Sequence, residues 1–387
     1  MKVALLVEGL GSGGAERQVC TLAGEFKRRG HLVCVATYHQ DEFHLHLLER
    51  ENVEHRFLGG HGRVSWAMNV RRFLRTYGQD VVLAFLTGPS AYAELAGLPT
   101  RSWGLVVSER SAGLGSGLGI NLHMFADYVI VNSHSGRIAI GGRQPQLQSK
   151  LITIYNAVDI GRGEVARPVL ADRGEVRLVV AARLDRNKNA PGLLSALHFL
   201  KGSQPSLRLR VDWYGDQTTD PEVARETRDR IAGLEAGSAF CLHPPTGDIR
   251  DAMTQADAVV LPSFYEGLPN AVCEGMALSK PILMSAVCDA GNLVQEGVNG
   301  FLFDPHSPES IADAIARFAG LAAADRDRMG KASRARAEAL FNADIVTDRY
   351  LRVLEAAATR QHLEIEHWPR GDLSASLAVR EAGNRDR

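Results

Sequence analysis

No segment of this 387-residue chain is apolar for long enough to cross a bilayer, so any role at a membrane has to be peripheral. An excess of one charge is missing too: 44 Lys and Arg balance 45 Asp and Glu, leaving no global field to draw the chain onto nucleic acid. The five cysteines, Cys20, Cys34, Cys241, Cys273 and Cys288, are scattered without C-x-x-C or similar metal-ligand spacing. Reduced, mostly buried thiols are expected, and with them a cytoplasmic compartment. Cys273 adjoins an acidic residue, but no motif supplies it with a base, so it reads as packing. The opening run Val3–Val7 lacks a small-residue cleavage site and leads into a glycine-rich loop, which reads as a first strand and not as a signal peptide. No short repeat is present.

A hydrophobic content of 45% indicates a folded protein, and the length exceeds one ordinary core but suits two. Strand-like runs alternate with helix-like segments. A strand from Lys2 to Val7 precedes a helix from Ala15 to Arg29 and a strand from Leu32 to Thr37. An acidic, histidine-rich stretch with no regular period follows. A helix near Trp66 to Tyr77 then leads to strands at Val81–Phe85, Gly104–Val107 and Tyr128–Val131. Such alternation predicts an α/β fold with parallel sheets covered by helices on both faces. Leu151–Tyr155 and Asn156–Asp159 would close a first domain at residues 1–159. The Gly-, Arg- and Pro-rich residues 160–174 read as a linker, and a second alternating series occupies 175–340. A helix follows within 341–359, near Asp344 to Ala357. The charged, aperiodic tail 360–387 is expected to be poorly ordered.

The densest chemistry lies between Ser263 and Ala277. An apolar strand, Ala258-Val-Val-Leu-Pro, ends there and a helix begins; Pro269 suits a first helical turn, which puts Glu266 in the loop and Glu274 on the helix. Open α/β sheets bind ligands outside the carboxyl ends of their strands. Two carboxylates there are natural partners for vicinal hydroxyls at two ends of a ligand, with helix-start amides suited to a phosphate between them. That combination describes a nucleotide sugar. Spacing alone fits equally well a plain helix with one capping and one surface carboxylate. A second cluster follows the strand Val176–Ala182: Arg183 and Lys188 project from a strand-to-helix loop before a helix from about Pro191. A guanidinium fork and a compact ammonium can jointly neutralise a diphosphate leaving group, although most such runs are solvated loops.

Arg183-Leu-Asp-Arg-Asn-Lys188-Asn189, the Glu-x(7)-Glu pair Glu266 and Glu274, and Gly297-Val-Asn-Gly300-Phe-Leu-Phe resemble the nucleotide-sugar domain of glycosyltransferase family 4. Gly13-Gly14-Ala15-Glu16-Arg17 after the first strand resembles the same family's N-terminal glycine loop, and the matches run in order over about residues 1 to 355. The resemblance implies a GT-B fold: two Rossmann-like, doubly wound domains facing across a cleft, with the last helix returning to the first. It implies retaining transfer from a nucleotide sugar, usually a UDP-sugar, without a metal at the diphosphate and without a further cofactor. By residue, Arg183 and Lys188 would hold the diphosphate, Glu274 the ribose, and Glu266 the transferred sugar. The backbone of Gly267 and Leu268 would lie near donor sugar and phosphate, and Gly13 and Gly14 would let the first loop approach the donor. The implied acceptor is a glycan or a polyprenyl-diphosphate-linked oligosaccharide in bacterial glycan assembly, which would place the protein at the inner face of the cell membrane. Relatives carry a histidine after the fourth strand where this chain has Arg110. Arg110 either binds an anion or pairs structurally, and it cannot serve as a base.

Several other patterns compete. Gly9-Leu-Gly11-Ser-Gly-Gly14 matches G-x-G-x-x-G, the mark of an NAD(P)-dependent oxidoreductase, but Val33–Tyr38 ends without the acidic residue that a dinucleotide ribose needs, and Asp41 comes late. A GT-B nucleotide-sugar epimerase, or a binding protein without turnover, would keep the fold and change the chemistry. The histidines at 39, 44, 46, 55 and 61 lack helical pairing with carboxylates and read as loop residues. Asp325-Arg-Asp327 lies in a charged helical stretch. The basic segment from Arg63 to Arg75 could rest on an anionic membrane through Trp66 and Phe73; the plainer reading puts its apolar side in the core.

Overall fold

The computed structural model describes residues 1–11, 13–110, 122–161, 174–233 and 238–363. Most of the expected linker 160–174 and of the tail 360–387 lies outside them. The chain divides into two compact units: Met1–Ala157, rejoined by the described residues from Phe341 to Leu363, and Val158–Leu340.

In the first unit, β1 (Lys2–Leu6), β2 (Leu32–Thr37), β3 (Glu54–Phe57), β4 (Val81–Phe85), β5 (Gly104–Glu109), β6 (Tyr128–Val131) and β7 (Leu151–Thr153) form a sheet ordered β3-β2-β1-β4-β5-β6-β7. Every pairing is parallel. Val3 to Leu6 and Val81 to Phe85 are fully buried on both faces, which is why these strands read as unbroken apolar runs. The helix Ala343–Thr359 packs back onto this unit through Val346, Tyr350, Leu354 and Ala357. A Cβ on Gly104 would collide with the Ala357 backbone, so only glycine lets helix and strand meet there.

In the second unit, β8 (Val176–Ala181), β9 (Leu209–Tyr214), β10 (Ser238–His243), β11 (Ala258–Leu261), β12 (Ile282–Ser285) and β13 (Gly300–Phe303) form a parallel sheet ordered β10-β9-β8-β11-β12-β13. Both sheets are doubly wound. Strand order reverses between β1 and β4 in one and between β8 and β11 in the other, and such a switch point opens a crevice at the carboxyl ends.

The structure departs from the sequence reading in the histidine-rich stretch, which holds a helix at Leu45–Arg50 and the edge strand β3. Three of the four β3 residues are exposed, so the strand carries no apolar signature, a common way to protect a sheet edge. Its histidines serve local bonds: His55 Nε2 lies 3.0 Å from Thr37 Oγ1, and His46 Nδ1 lies 3.1 Å from the Phe43 carbonyl. The basic helix is Gly62–Thr76. Its Trp66 donates to the Gly60 carbonyl at 3.0 Å and packs on Tyr38 and His39, while Phe73 is buried. The two aromatic rings suggested for membrane insertion therefore face protein. Arg71 and Arg75 instead donate to the carbonyls of Ala96 and Leu98.

Candidate active site

The loops after β8 and β11 flank the switch point of the second sheet, because these two strands are hydrogen-bonded neighbours. After β8, Leu184 is buried and Asp185 accepts from the Lys188 amide at 3.1 Å, closing a 3-10 turn over Arg186–Lys188. Asn189 follows in the left-handed region at φ 57°, where its side-chain Oδ1 accepts from the Gly192 amide and caps the helix Ala190–Ser203. The Asn189 amide donates to the carbonyls of Pro262, at 3.2 Å, and Pro305, at 2.9 Å. Asn187 Nδ2 donates to the Tyr265 carbonyl at 2.9 Å, and the Phe264 amide donates to the Asn187 carbonyl at 2.9 Å. Two loops far apart in sequence are thereby tied into one surface.

On that surface Lys188 and Glu266 meet. Lys188 Nζ lies 2.5 Å from Glu266 Oε1, and the two side chains are only 17% and 11% exposed. The Glu266 amide donates to Cys288 Sγ at 3.3 Å. Arg183 behaves differently: its side chain is 64% exposed, with Asp185 at 3.5 Å, so its guanidinium is available to a ligand from solvent. Its loop is packed against the end of β9, where a Cβ on Gly215 would collide with the Ala182 carbonyl. Leu268 is buried, and Pro269 stands at the N-cap position, one residue earlier than the expected first turn. Glu274 lies half-buried within the helix Asn270–Ala277. Cys273 is fully enclosed, and burial raises its thiol well above the ordinary range, which makes it an inert packing group.

Arg183, Lys188, Glu266, Gly267, Leu268 and Glu274 thus all follow the carboxyl ends of two neighbouring central strands of one sheet. Gly13 and Gly14 belong to the other unit, at the start of the helix Gly14–Arg28 after β1, with the Glu16 carboxylate folded back over Gly13. In the same glycine loop the Leu10 amide donates to the Asp41 carbonyl at 2.7 Å, so Asp41 closes this loop from the side. Tyr38 and His39 follow the end of β2 and pack against Trp66 with tilted rings.

Arg110, after β5, donates to Asn156 Oδ1 and to Ser108 Oγ, and its guanidinium lies 5.4 Å from the Phe85 ring centre. Sequence reasoning missed its neighbour. His123, from the 3-10 turn Leu122–Phe125, sits fully buried between Glu94 at 3.8 Å and Glu109 at 3.7 Å. Burial alone would lower its pKa, but the two carboxylates outweigh that and raise it to about 9. Glu109 also accepts from Thr87 Oγ1 at 3.0 Å, which links this charge to the start of the helix Thr87–Gly97. Asp325 and Asp327 are spent on ion pairs with Arg328 and Lys331 along the helix Ala323–Phe341.

Two family models match consecutive stretches: "Glycosyltransferase Family 4" over residues 12–162 and "Glycosyl transferases group 1" over residues 163–336. A D-inositol 3-phosphate glycosyltransferase of Streptomyces griseus is 33% identical over 163 residues, 41% of this chain and 34% of that protein. An exopolysaccharide phosphotransferase of Streptomyces coelicolor is 26% identical over 302 residues, 76% of this chain and 30% of that protein. The chain thus spans about a third of the length of these curated relatives. Among solved structures, Anabaena Alr3699/HepE in complex with UDP superposes with a TM-score of 0.78 at 21% identity, covering 92% of this chain and all of that one. The same protein in complex with UDP-glucose gives 0.76 at 21% identity, again over 92% and 100% of the two chains. With both halves matched in order and both sheets doubly wound, the chain belongs to the glycosyltransferases of family 4 and has their α/β GT-B fold.

Proposed function

We propose that this chain transfers a sugar from a nucleotide sugar, a UDP-sugar, to a glycan or polyprenyl-diphosphate-linked acceptor, with retention of configuration, in bacterial surface-glycan assembly. The observation that carries the reading is the Lys188–Glu266 pair at the switch point, with exposed Arg183 on one side and Glu274 on the adjoining helix. A diphosphate arriving there meets two cations and a helix start. Glu274 is suited to ribose hydroxyls, and Glu266, held by Lys188, to hydroxyls of the transferred sugar. The backbone at Gly267 and Leu268 lies at the turn between them. Gly13 and Gly14, neither carrying a side chain of its own, are the donor-binding residues of the first unit in this reading. The UDP and UDP-glucose complexes of the Anabaena neighbour support the choice of nucleotide.

In this mechanism the diphosphate leaves toward Arg183 and Lys188 as positive charge develops on the sugar ring. The acceptor hydroxyl attacks from the same face, its oxygen bonding to the anomeric carbon as the bond to phosphate breaks, and its proton passes to the departing phosphate oxygen. No strong protein base is required, which accommodates Arg110 where relatives have histidine.

The test is nucleoside diphosphate release from a panel of nucleotide sugars, with and without polyprenyl-diphosphate-linked oligosaccharide, and the product's anomeric configuration by NMR. Acceptor-dependent UDP release with a retained anomer is expected. An inverted product would overturn the retaining mechanism; release of free sugar without an acceptor product would favour the epimerase alternative.

A further inference from the structure

β9 departs from the two-sided burial of its neighbours. Leu209, Val211 and Trp213 enter the core, while Arg210, Asp212 and Tyr214 stay half-exposed on the other face. The helix crossing that face, Ile249–Gln255, has only seven residues and leaves a cavity of about 460 Å³ beside Arg177, Arg210, Asp212 and Tyr214. On the edge strand β10, Cys241 and His243 are two residues apart and so share a face. Cys241 is the register partner of Asp212, and His243 that of Tyr214. An oxygen of Asp212, Sγ of Cys241 and a ring nitrogen of His243 all lie within 4.8 Å of one another. Cross-strand register, which the linear spacing of the cysteines does not reveal, creates this convergence.

We propose that Asp212, Cys241 and His243 form a binding site for a zinc-class divalent cation, separate from the candidate active site. A thiolate, an imidazole and a carboxylate suit a borderline-soft ion, and a water would complete four-coordination. The groups that hold metal ligands in orientation are present. Arg210 grips the Asp212 carboxylate with Nε at 2.8 Å and a terminal nitrogen at 2.9 Å, and the Tyr214 ring stacks on His243 at 4.4 Å and 13°. His243 Nε2 now lies 2.8 Å from Asp212 Oδ1; the cation would enter between them and replace that bond. On binding, the Cys241 thiol loses its proton to solvent and its sulfur bonds the metal, so affinity falls as pH falls.

The site would act as a clip. β10 is an edge strand held by β9 alone, and a cation ligated from both would fix the end at which the Gly215 amide donates to the His243 carbonyl at 3.2 Å. One residue further, the Leu184 amide donates to the Asp216 carbonyl at 2.7 Å, so the clip supports the loop that carries Arg183.

The test is cobalt titration of the reduced, metal-stripped full-length protein. A thiolate-to-cobalt charge-transfer band saturating at one equivalent, abolished by zinc and absent in Cys241→Ser, is the expected result. The other four cysteines are buried, so the band reports on Cys241. His243→Gln and Asp212→Asn should each weaken cobalt binding, and the rise in melting temperature on adding metal, measured for each protein against its own chelated state, should be smaller in either variant than in the native chain. No charge-transfer band, or an identical band in Cys241→Ser, would overturn the proposal and leave Asp212 as a hydrogen-bond partner shared by Arg210 and His243.

Discussion

Replacing Lys188 by Ala separates the structural and chemical roles of one residue. Lys188 Nζ and Glu266 Oε1 are 2.5 Å apart, with both side chains more than four-fifths covered. At an effective dielectric of 20 the bare attraction is about 6 to 7 kcal/mol, and desolvation offsets much of it. Removing one partner strands a covered charge, for which a loss of about 3 kcal/mol is the central expectation. In a domain of this size that lowers the melting temperature by about 6 to 12 °C. Turnover should fall as well, since one donor to developing charge contributes about 3 kcal/mol, more than a hundredfold in rate. The double variant Lys188→Met, Glu266→Gln removes both charges and should recover stability to within about 1 kcal/mol of the native chain, because no uncompensated charge remains. It should not recover turnover. Chemical denaturation and UDP-release rates on the three proteins give the comparison. A double variant as unstable as the single one would refute the electrostatic argument, and one that regained turnover would refute the role in transfer.

Arg183→Ala makes the converse case. With 64% of the side chain exposed, stability should change by no more than about 0.5 kcal/mol while turnover falls, and an unstable variant would contradict this. Gly104→Ala would press a methyl group into the Ala357 backbone, so unfolding should become easier by about 1 to 3 kcal/mol, with the helix Ala343–Thr359 more open to protease; an unchanged denaturation midpoint would count against that contact. The buried His123 predicts a pH dependence. Its pKa in the folded chain, about 9, lies above the ordinary 6.5, so its stabilisation is complete below pH 6.5 and is lost as pH rises toward 9, by up to about 1.4 kcal/mol per unit. Denaturation midpoints from pH 6 to 9.5 should show this decline in the native chain and not in His123→Gln; superimposable profiles would exclude it.

Much of the architecture is legible in the sequence for a physical reason. Parallel strands buried on both faces, such as Val81–Phe85 and Ala258–Leu261, leave unbroken apolar runs that periodicity detects. The edge strand β3 escaped because its exposed Glu-His-Arg-Phe has no such run. The helix Thr87–Gly97 escaped because it is short, rich in small residues and follows Leu86 at φ 71°. For the candidate site, the loop position of Glu266 and the helical position of Glu274 follow from Pro269 and the preceding strand. Pairing does not follow. That Lys188 meets Glu266, that Asn187 and Asn189 bind the loop after β11, and that His123 sits between Glu94 and Glu109 all depend on which strands become neighbours. Local sequence carries no record of those long-range contacts.

The most direct measurement is the melting temperature of the native chain and of Glu274→Ala against UDP, GDP, ADP and their sugars, with NAD and NADP alongside. A ligand that binds the folded chain at a hundred times its dissociation constant adds about 2.7 kcal/mol, a readily measured shift. UDP and one UDP-sugar should stabilise the native chain and lose that effect in Glu274→Ala. Stabilisation by NAD or NADP alone would contradict the nucleotide-sugar donor site and return attention to the glycine loop at Gly9–Gly14.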